Sequence, residues 1–383
     1  MFSLLGNVES RQIDDLAREV CTDPSNYGEL QQLRTLFSPP FLQGLEDILY
    51  DRLKGSRAGH RHVEVSLGWI DKIPLARSDQ LGTTPPMPER TELGDAIVLA
   101  VDQTYSNLGL IRQQSARAVL LQAKVARTGD QVEAPTVPLT AASSVVSAST
   151  RKELALLSAW PRFDLFKSSG SKTPRLTDVD LPSASPESYG WYLAAPGRPL
   201  TVTAKHTWPS WWMAGRPATG APCDISLGAF LVAFFAGRRL GGVPVGADYD
   251  CDTDIAPSEW TRLCHTVIDI IDSQDAPEHL FGVGAARRKT IGFRTAAFLY
   301  AREHGAGQEV LRLVDMLAKG PTSPLLGNWL MWKRARIDDD PRKRVALMGT
   351  RGRARNWPSW GHGHGRFAVL KVTLTRPEED FEG

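Results

Sequence analysis

Arg117-Ala-Val-Leu-Leu-Gln-Ala-Lys-Val-Ala-Arg127 is the stretch whose reading decides the fold. Leu120 and Leu121 sit in an apolar run of the kind that forms a buried strand. The run ends in Gln122-Ala123-Lys124. Alternate side chains of a strand share a face, so Gln122 and Lys124 point the same way, roughly 7 Å apart along the chain. An ammonium at the end of a buried strand needs an anion beside it, because an unpaired buried charge is costly. A phosphate or a metal-bound carboxylate would serve.

Upstream, Glu92-Leu-Gly-Asp-Ala-Ile-Val-Leu-Ala-Val-Asp102 reads as a second apolar strand, entered through Gly94-Asp95. Residues 103–116 are polar, contain Asn107-Leu-Gly109, and read as the extended loop of a hairpin. Antiparallel pairing sets the start of the first strand beside the end of the second. Asp95 then approaches Gln122 and Lys124, and acid, amide oxygen and ammonium converge. Such a trio can hold a divalent cation and a phosphate.

A Gly-Asp at the start of one strand followed by Gln-Ala-Lys on the next resembles the restriction-endonuclease-like nucleases, whose active site is written PD-(D/E)xK. The Gln-x-Lys form is similar to the Mrr-type restriction nucleases and related anti-phage proteins. The resemblance covers roughly residues 40–195. It implies that Asp95 binds magnesium, that Gln122 completes the metal shell, and that Lys124 orients or activates the attacking water. It also implies a further carboxylate from the helix before the sheet, for which Glu46 is the candidate; the alternative is a surface glutamate beside Arg52 and Lys54. Glu92, three residues ahead of Asp95, is a further candidate ligand, or else it solvates a strand entrance. The sequence departs from the family pattern twice. Gly94 replaces the proline, and Gln122 replaces the acid, which removes one negative charge from the site.

Composition sets the outer limits. The 383 residues suffice for two domains, and 42% hydrophobic with 23% charged residues is ordinary for a globular chain. A net charge of +2 means that a nucleic-acid surface must come from local clustering. Cys21, Cys223, Cys251 and Cys264 are scattered, which argues against a zinc ribbon or a disulfide scaffold and for reduced thiols in a cytosol. Met1-Phe-Ser-Leu-Leu-Gly-Asn7 lacks the pattern of a secretory signal, and the most apolar run, 227–236, is too short to span a bilayer.

Along the chain, residues 8–37 read as two short packing helices, and Pro39-Pro40 introduces a helix with Leu42, Leu45, Leu49 and Leu53 on its apolar stripe. Residues 62–77 alternate as a strand or hairpin, and the proline-containing 78–91 reads as a loop. Residues 128–150 read as a flexible excursion, 151–160 as a helix stopped by Pro161, 168–188 as a polar linker, and 190–195 as a strand. Trp160 and Phe163 are core candidates; Trp208, Trp211 and Trp212 are core or a base-stacking platform, core preferred. Ser226 can cap an internal helix over 227–239. Asp248, Asp250, Asp252 and Glu259 match calcium-loop positions, but Thr253 stands where the turn needs glycine, so an acidic loop before a helix over 257–273 is the preferred reading. Lys333, Arg334, Arg336, Arg351, Arg353 and Arg355, interleaved with tryptophans, suit a nucleic-acid groove or a solvated basic surface. Phe367 opens a closing strand.

The expectation is therefore an α/β chain. N-terminal helices occupy 1–38, a restriction-endonuclease-like core with a mixed central sheet flanked by helices occupies 39–200, and a mainly helical region with the basic, aromatic segment occupies 201–383. Its expected function is a cytoplasmic endonuclease using Mg2+ or Mn2+, cutting DNA rather than RNA, in bacterial defence. The alternatives are an inactive nucleic-acid-binding module and a structural subunit of a defence assembly. A homo-oligomer or a defence-system partner protein is left open; a membrane is not expected.

Overall fold

Alternation along the two central strands fixes the layers. In β4 (Ala96–Tyr105), Ala96, Val98 and Ala100 are buried in one core and Ile97, Leu99 and Val101 in the other. In β5 (Ile111–Val125), Val119, Leu121 and Ala123 join the first core and Ala118 and Leu120 the second. Strands buried on both faces read as continuous apolar runs, as these do. The computed structural model describes residues 4–21, 28–54, 62–70, 74–78, 87–105, 111–126, 133–139, 148–182, 186–200, 208–250, 257–272 and 366–377.

The central sheet is mixed. Its order is β1 (His62–Ile70), β14 (Phe367–Pro377), β4, β5, β8 (Gly190–Ala195), β9 (Met213–Gly215) and β10 (Ile225–Ser226), with β13 (Ala247–Tyr249) also pairing with β5. β14 runs parallel to β4, and β8 parallel to β5; the remaining neighbours are antiparallel. On the first face lie α1 (Asn7–Val20), α2 (Glu29–Leu36), α3 (Pro39–Lys54) and α5 (Leu227–Ala236). On the second lie α4 (Ala148–Ala159), α6 (Glu259–Asp272) and a four-stranded antiparallel sheet. That sheet runs β3 (Met87–Glu92), β2 (Leu75–Ser78), β6 (Phe163–Phe166), β7 (Leu176–Val179), and a small ribbon joins β11 (Arg239–Leu240) to β12 (Val243–Pro244). The protein is thus a mixed α/β fold with a central mixed sheet flanked by helices.

Local signals account for several elements. Glu9 accepts a 2.7 Å bond from the Gly6 amide and so satisfies an orphan donor at the start of α1. Ser226 caps α5 by accepting from Ala229 N at 3.2 Å, and Gly237 ends that helix at φ 65°. Helix α5 is buried nearly all round, as its composition requires. Left-handed backbone at Trp160 (φ 42°) and the following Pro161 stop α4. Trp160, Phe163, Trp208, Trp211 and Trp212 are all buried, so the three last-named are core and offer no stacking platform. Cys21, Cys223 and Cys264 are buried. Among the described residues, no helix is long and apolar enough to cross a membrane.

Other expectations need correction. The hairpin pairs out to Tyr105 opposite Ile111, so much of 103–116 is strand; a register shift between Asp102 and Gln103 absorbs the irregular polar sequence. β1 and β2 belong to different sheets and form no hairpin, while β3 and β7 occupy parts of 78–91 and 168–188 that read as loop and linker. The excursion over 128–150 is anchored where it is described: Val137 and Leu139 are buried, and Thr136 bridges Pro222. The boundary at residue 200 does not enclose the sheet, because β9, β10, β13 and β14 all join it from beyond. β14 does not close an edge; it lies between β1 and β4, next to the candidate site.

Candidate active site

Asp95 sits where three strands meet. Its amide donates to Leu121 O at 2.8 Å on β5, and its carbonyl accepts from Ala368 N at 2.9 Å on β14. Gly94 enters this position at φ 155°, and a Cβ there would stand 3.0 Å from Leu121 O. Proline, locked near φ −65°, cannot take that conformation, which explains the glycine in its place. Ala96 opposes Leu121, so the carboxylate of the preceding residue comes against Gln122. Asp95 Oδ2 accepts from Gln122 Nε2 at 2.5 Å and from the Ala123 amide at 2.8 Å.

Lys124 completes the trio from the same strand. Its ammonium stands 3.0 Å from Glu153 Oε2 of α4 and 3.4 Å from Glu29 Oε2 of α2. Asp95, Gln122, Lys124 and Glu153 are all buried. Ser149 Oγ donates to the other Glu153 oxygen at 2.8 Å and fixes that carboxylate on its helix. Glu92, at the end of β3, feels the charges of Glu153, Lys124 and Glu29 and belongs to the same cluster. Glu46 does not. It accepts from Val65 N of β1 at 3.2 Å, on the first face of the sheet, whereas Asp95 alternates with Ile97 toward the second. The apolar stripe of α3 packs that helix against the opposite layer from the site.

The electrostatics are those of four acids around Lys124, with Arg366 acting on Glu92 from outside the trio. Glu29, Glu92, Asp95 and Glu153 surround Lys124, all within each other's field. Burial, then the charges of Glu29, Glu92 and Glu153, hold the Asp95 carboxyl well above its usual range, and only Lys124 opposes them. Burial also raises Glu29 and Glu92. Burial alone would lower Lys124, but Glu29, Asp95 and Glu153 outweigh it and hold the ammonium above the usual lysine range. Opposite Gln122 on β8 stands Tyr192, whose buried hydroxyl has no hydrogen-bond partner among the described residues. Burial, then Glu153 and Asp95, push that phenol upward.

Gln122 Oε1 is likewise buried without a partner among the described residues. Amide oxygen and nitrogen can exchange places by rotation about the last bond. Rotated, Gln122 would bring its oxygen against Asp95 Oδ2, and two oxygens that close need either a proton on the carboxyl or a cation between them. The donors are hard oxygens of the type that Mg2+ or Mn2+ takes. Among the described residues, no three His, Cys, Asp or Glu side chains are gathered as ligands for one ion; the acids are organised around Lys124 instead. Oxygen donors of this kind are ones a divalent cation takes, and the Gln122 oxygen reaches Asp95 only after that rotation.

The sequence did not nominate Glu29, Glu153 or Tyr192. Glu153 carried a signal: it stands among Thr150, Leu156 and Leu157 on the buried face of α4, where an acid needs a partner. Glu29 opens an unremarkable amphipathic helix and carried none. Asp248 is strand, not calcium loop: it pairs with Arg117 at 2.7 Å, while Glu259 pairs with Arg262 at 2.6 Å. Lys333, Arg334, Arg336, Arg351, Arg353 and Arg355 lie outside the described residues. Compared with protein-family models, curated proteins and solved structures, the chain matches none.

Proposed function

We propose that this protein is a metal-dependent endonuclease of the restriction-endonuclease-like type, cutting DNA, with Asp95, Gln122 and Lys124 at its centre. The observation that carries the reading is the convergence of those three side chains, buried on one face at the end of a hairpin, among more carboxylates than Lys124 neutralises. Surplus buried negative charge beside a lysine suits a site that takes up a cation and a phosphate together. Asp95 and the Gln122 oxygen, with Glu92 alongside, would hold Mg2+ or Mn2+. When bound, that ion supplies charge to polarise a phosphate oxygen. Lys124 donates hydrogen bonds to the phosphate or to the attacking water and offsets the charge that builds in the transition state. Glu153 keeps the ammonium aimed, and Ser149 keeps Glu153 aimed. The proposal extends to a cytoplasmic role in bacterial defence, following the resemblance in Gly94-Asp95 and Gln122-Ala-Lys124.

A second reading, an inactive nucleic-acid-binding protein, has one observation in its favour: Lys124 already has two carboxylate partners, and Asp95 already has two donors. A supercoiled-plasmid assay with Mg2+ or Mn2+ separates the two. The intact chain is expected to nick or linearise the plasmid, and Asp95→Ala and Lys124→Ala to lose roughly a hundredfold or more of the rate, the scale of removing one transition-state partner. Equal cleavage by all three proteins overturns the assignment.

A further inference from the structure

One cation at the centre of this cluster has two direct carboxylate partners, and they are not equivalent. Glu153 approaches Lys124 to 3.0 Å with its side chain 3% exposed; Glu29 approaches to 3.4 Å with its side chain 31% exposed. The inner acid is fixed from behind by Ser149. The outer acid begins α2, and no other side chain is bonded to its carboxylate among the described contacts. It faces Lys124 and feels Glu153, and it adds its charge to Asp95 and Glu92. Removing Glu29 from the ammonium therefore relieves repulsion with three acids and leaves Lys124 still paired.

We infer that Glu29 sits in the seat that a backbone phosphate of the substrate takes on Lys124, and that the phosphate displaces it on binding. The inference rests on the reading of Lys124 as a phosphate-contacting group. A carboxylate 3.4 Å from an ammonium, on the solvent side, stands where an incoming anionic oxygen must stand. Displacement needs only rotation of one side chain. The helix stays, because Gln32 Nε2 bonds Pro196 O at 3.0 Å and Leu33 and Leu36 are buried in the first core. Glu29 thus tunes affinity: it keeps the buried lysine compensated when no substrate is bound, and it competes with any anion that binds weakly.

Fluorescence anisotropy with a labelled DNA duplex and the full chain, in EDTA so that nothing is cut, tests this. Glu29→Gln is expected to bind roughly five- to tenfold tighter than the natural sequence, the scale of one partly exposed charge pair. The same change on a Lys124→Met background is expected to give no gain, because the seat is gone. Equal affinity of Glu29→Gln and the natural chain overturns the inference, and so does an equal gain on both backgrounds, which is the signature of bulk charge. Should Lys124→Met fail to fold, competition by inorganic phosphate decides: it must displace DNA from Glu29→Gln at lower concentration than from the natural chain, and identical competition curves overturn the proposal. The plasmid assay reads the enzyme assignment separately. A Glu29-dependent gain without any cleavage removes the nuclease and keeps the phosphate seat; cleavage without the gain does the reverse.

Discussion

Two of the buried carboxylates, Asp14 and Asp95, lie on opposite faces of one sheet and have opposite surroundings. Asp14, on α1, accepts from the Gly228 amide at 2.7 Å, at the N-terminus of α5, where partial positive charge gathers. Burial raises its pKa, and the Ser226 hydroxyl, the Gly228 amide and the charge of Arg18 all pull it back. Asp95 is raised by burial too, but three of the four charges around it push the same way. Burial of an acid alone therefore says little about function. What distinguishes the second cluster is that like charges have been assembled at a cost to folding. Stability spent in this way is the mark of a site built to hold something else.

The largest test of the comparison is removal of the central cation. Lys124→Ala leaves Glu29, Asp95 and Glu153 facing each other without compensation, and breaking a buried pair in this way costs about 3–5 kcal/mol. Urea unfolding should register that loss, with Glu153→Gln in the same background recovering part of it. No loss would mean that the acids are already protonated and that the cluster is not charged at neutral pH. Next comes the closely packed region around Asp14. A Cβ at Gly228 would lie 1.9 Å from Ser10 O, a backbone atom of α1. Gly228→Ala should cost about 3 kcal/mol in the same experiment, the upper end of overpacking, because the two helices must separate. Its activity per folded molecule should be unchanged, since the site lies across the sheet.

Much of this was legible before the fold was seen. Strand periodicity puts Gln122 and Lys124 on one face whatever surrounds them, and antiparallel pairing of two adjacent apolar runs delivers Asp95 to the same point. The strand at 190–195 and the capped, wholly apolar α5 were equally plain, because their signals are local. What failed was non-local. Nothing in Phe367–Pro377 announces that it will lie parallel to Ala96–Tyr105, with 261 residues between the two runs. Glu29 reaches Lys124 from a helix chosen for packing, and Glu153 from a helix in another layer. Glu46 fell on the wrong side because an amphipathic stripe shows that a helix packs, not against which face. Short strands such as Met87–Glu92, which includes a proline, lack the length and alternation that betray a strand.

The subtlest test reverses a usual expectation. Asp95→Asn removes one negative charge from a crowd of acids while leaving an oxygen that can accept from the Ala123 amide. It should abolish cleavage yet raise stability by about 1 kcal/mol, the trade seen when a strained functional group is relaxed. The pH dependence gives the sign independently. Asp95, Glu29 and Glu92 have folded pKa values above their ordinary ones, chiefly from burial, so the folded chain binds protons more readily than the unfolded chain. Their contribution is fully present below the ordinary carboxylate range and is lost as pH rises through the raised values. The raised Lys124 has the same sign, but its loss comes only in strongly alkaline solution. As pH rises from the ordinary carboxylate range through the raised values, the natural chain should therefore lose stability through this cluster, and Asp95→Asn should lose less. Melting curves across that range, with and without Mg2+, complete the comparison: the ion should raise the melting temperature of the natural chain most at the high-pH end, where the acids are ionised, and should leave Asp95→Asn nearly unmoved. Asp14→Asn, whose carboxylate already has its partners, should keep the full response to the ion.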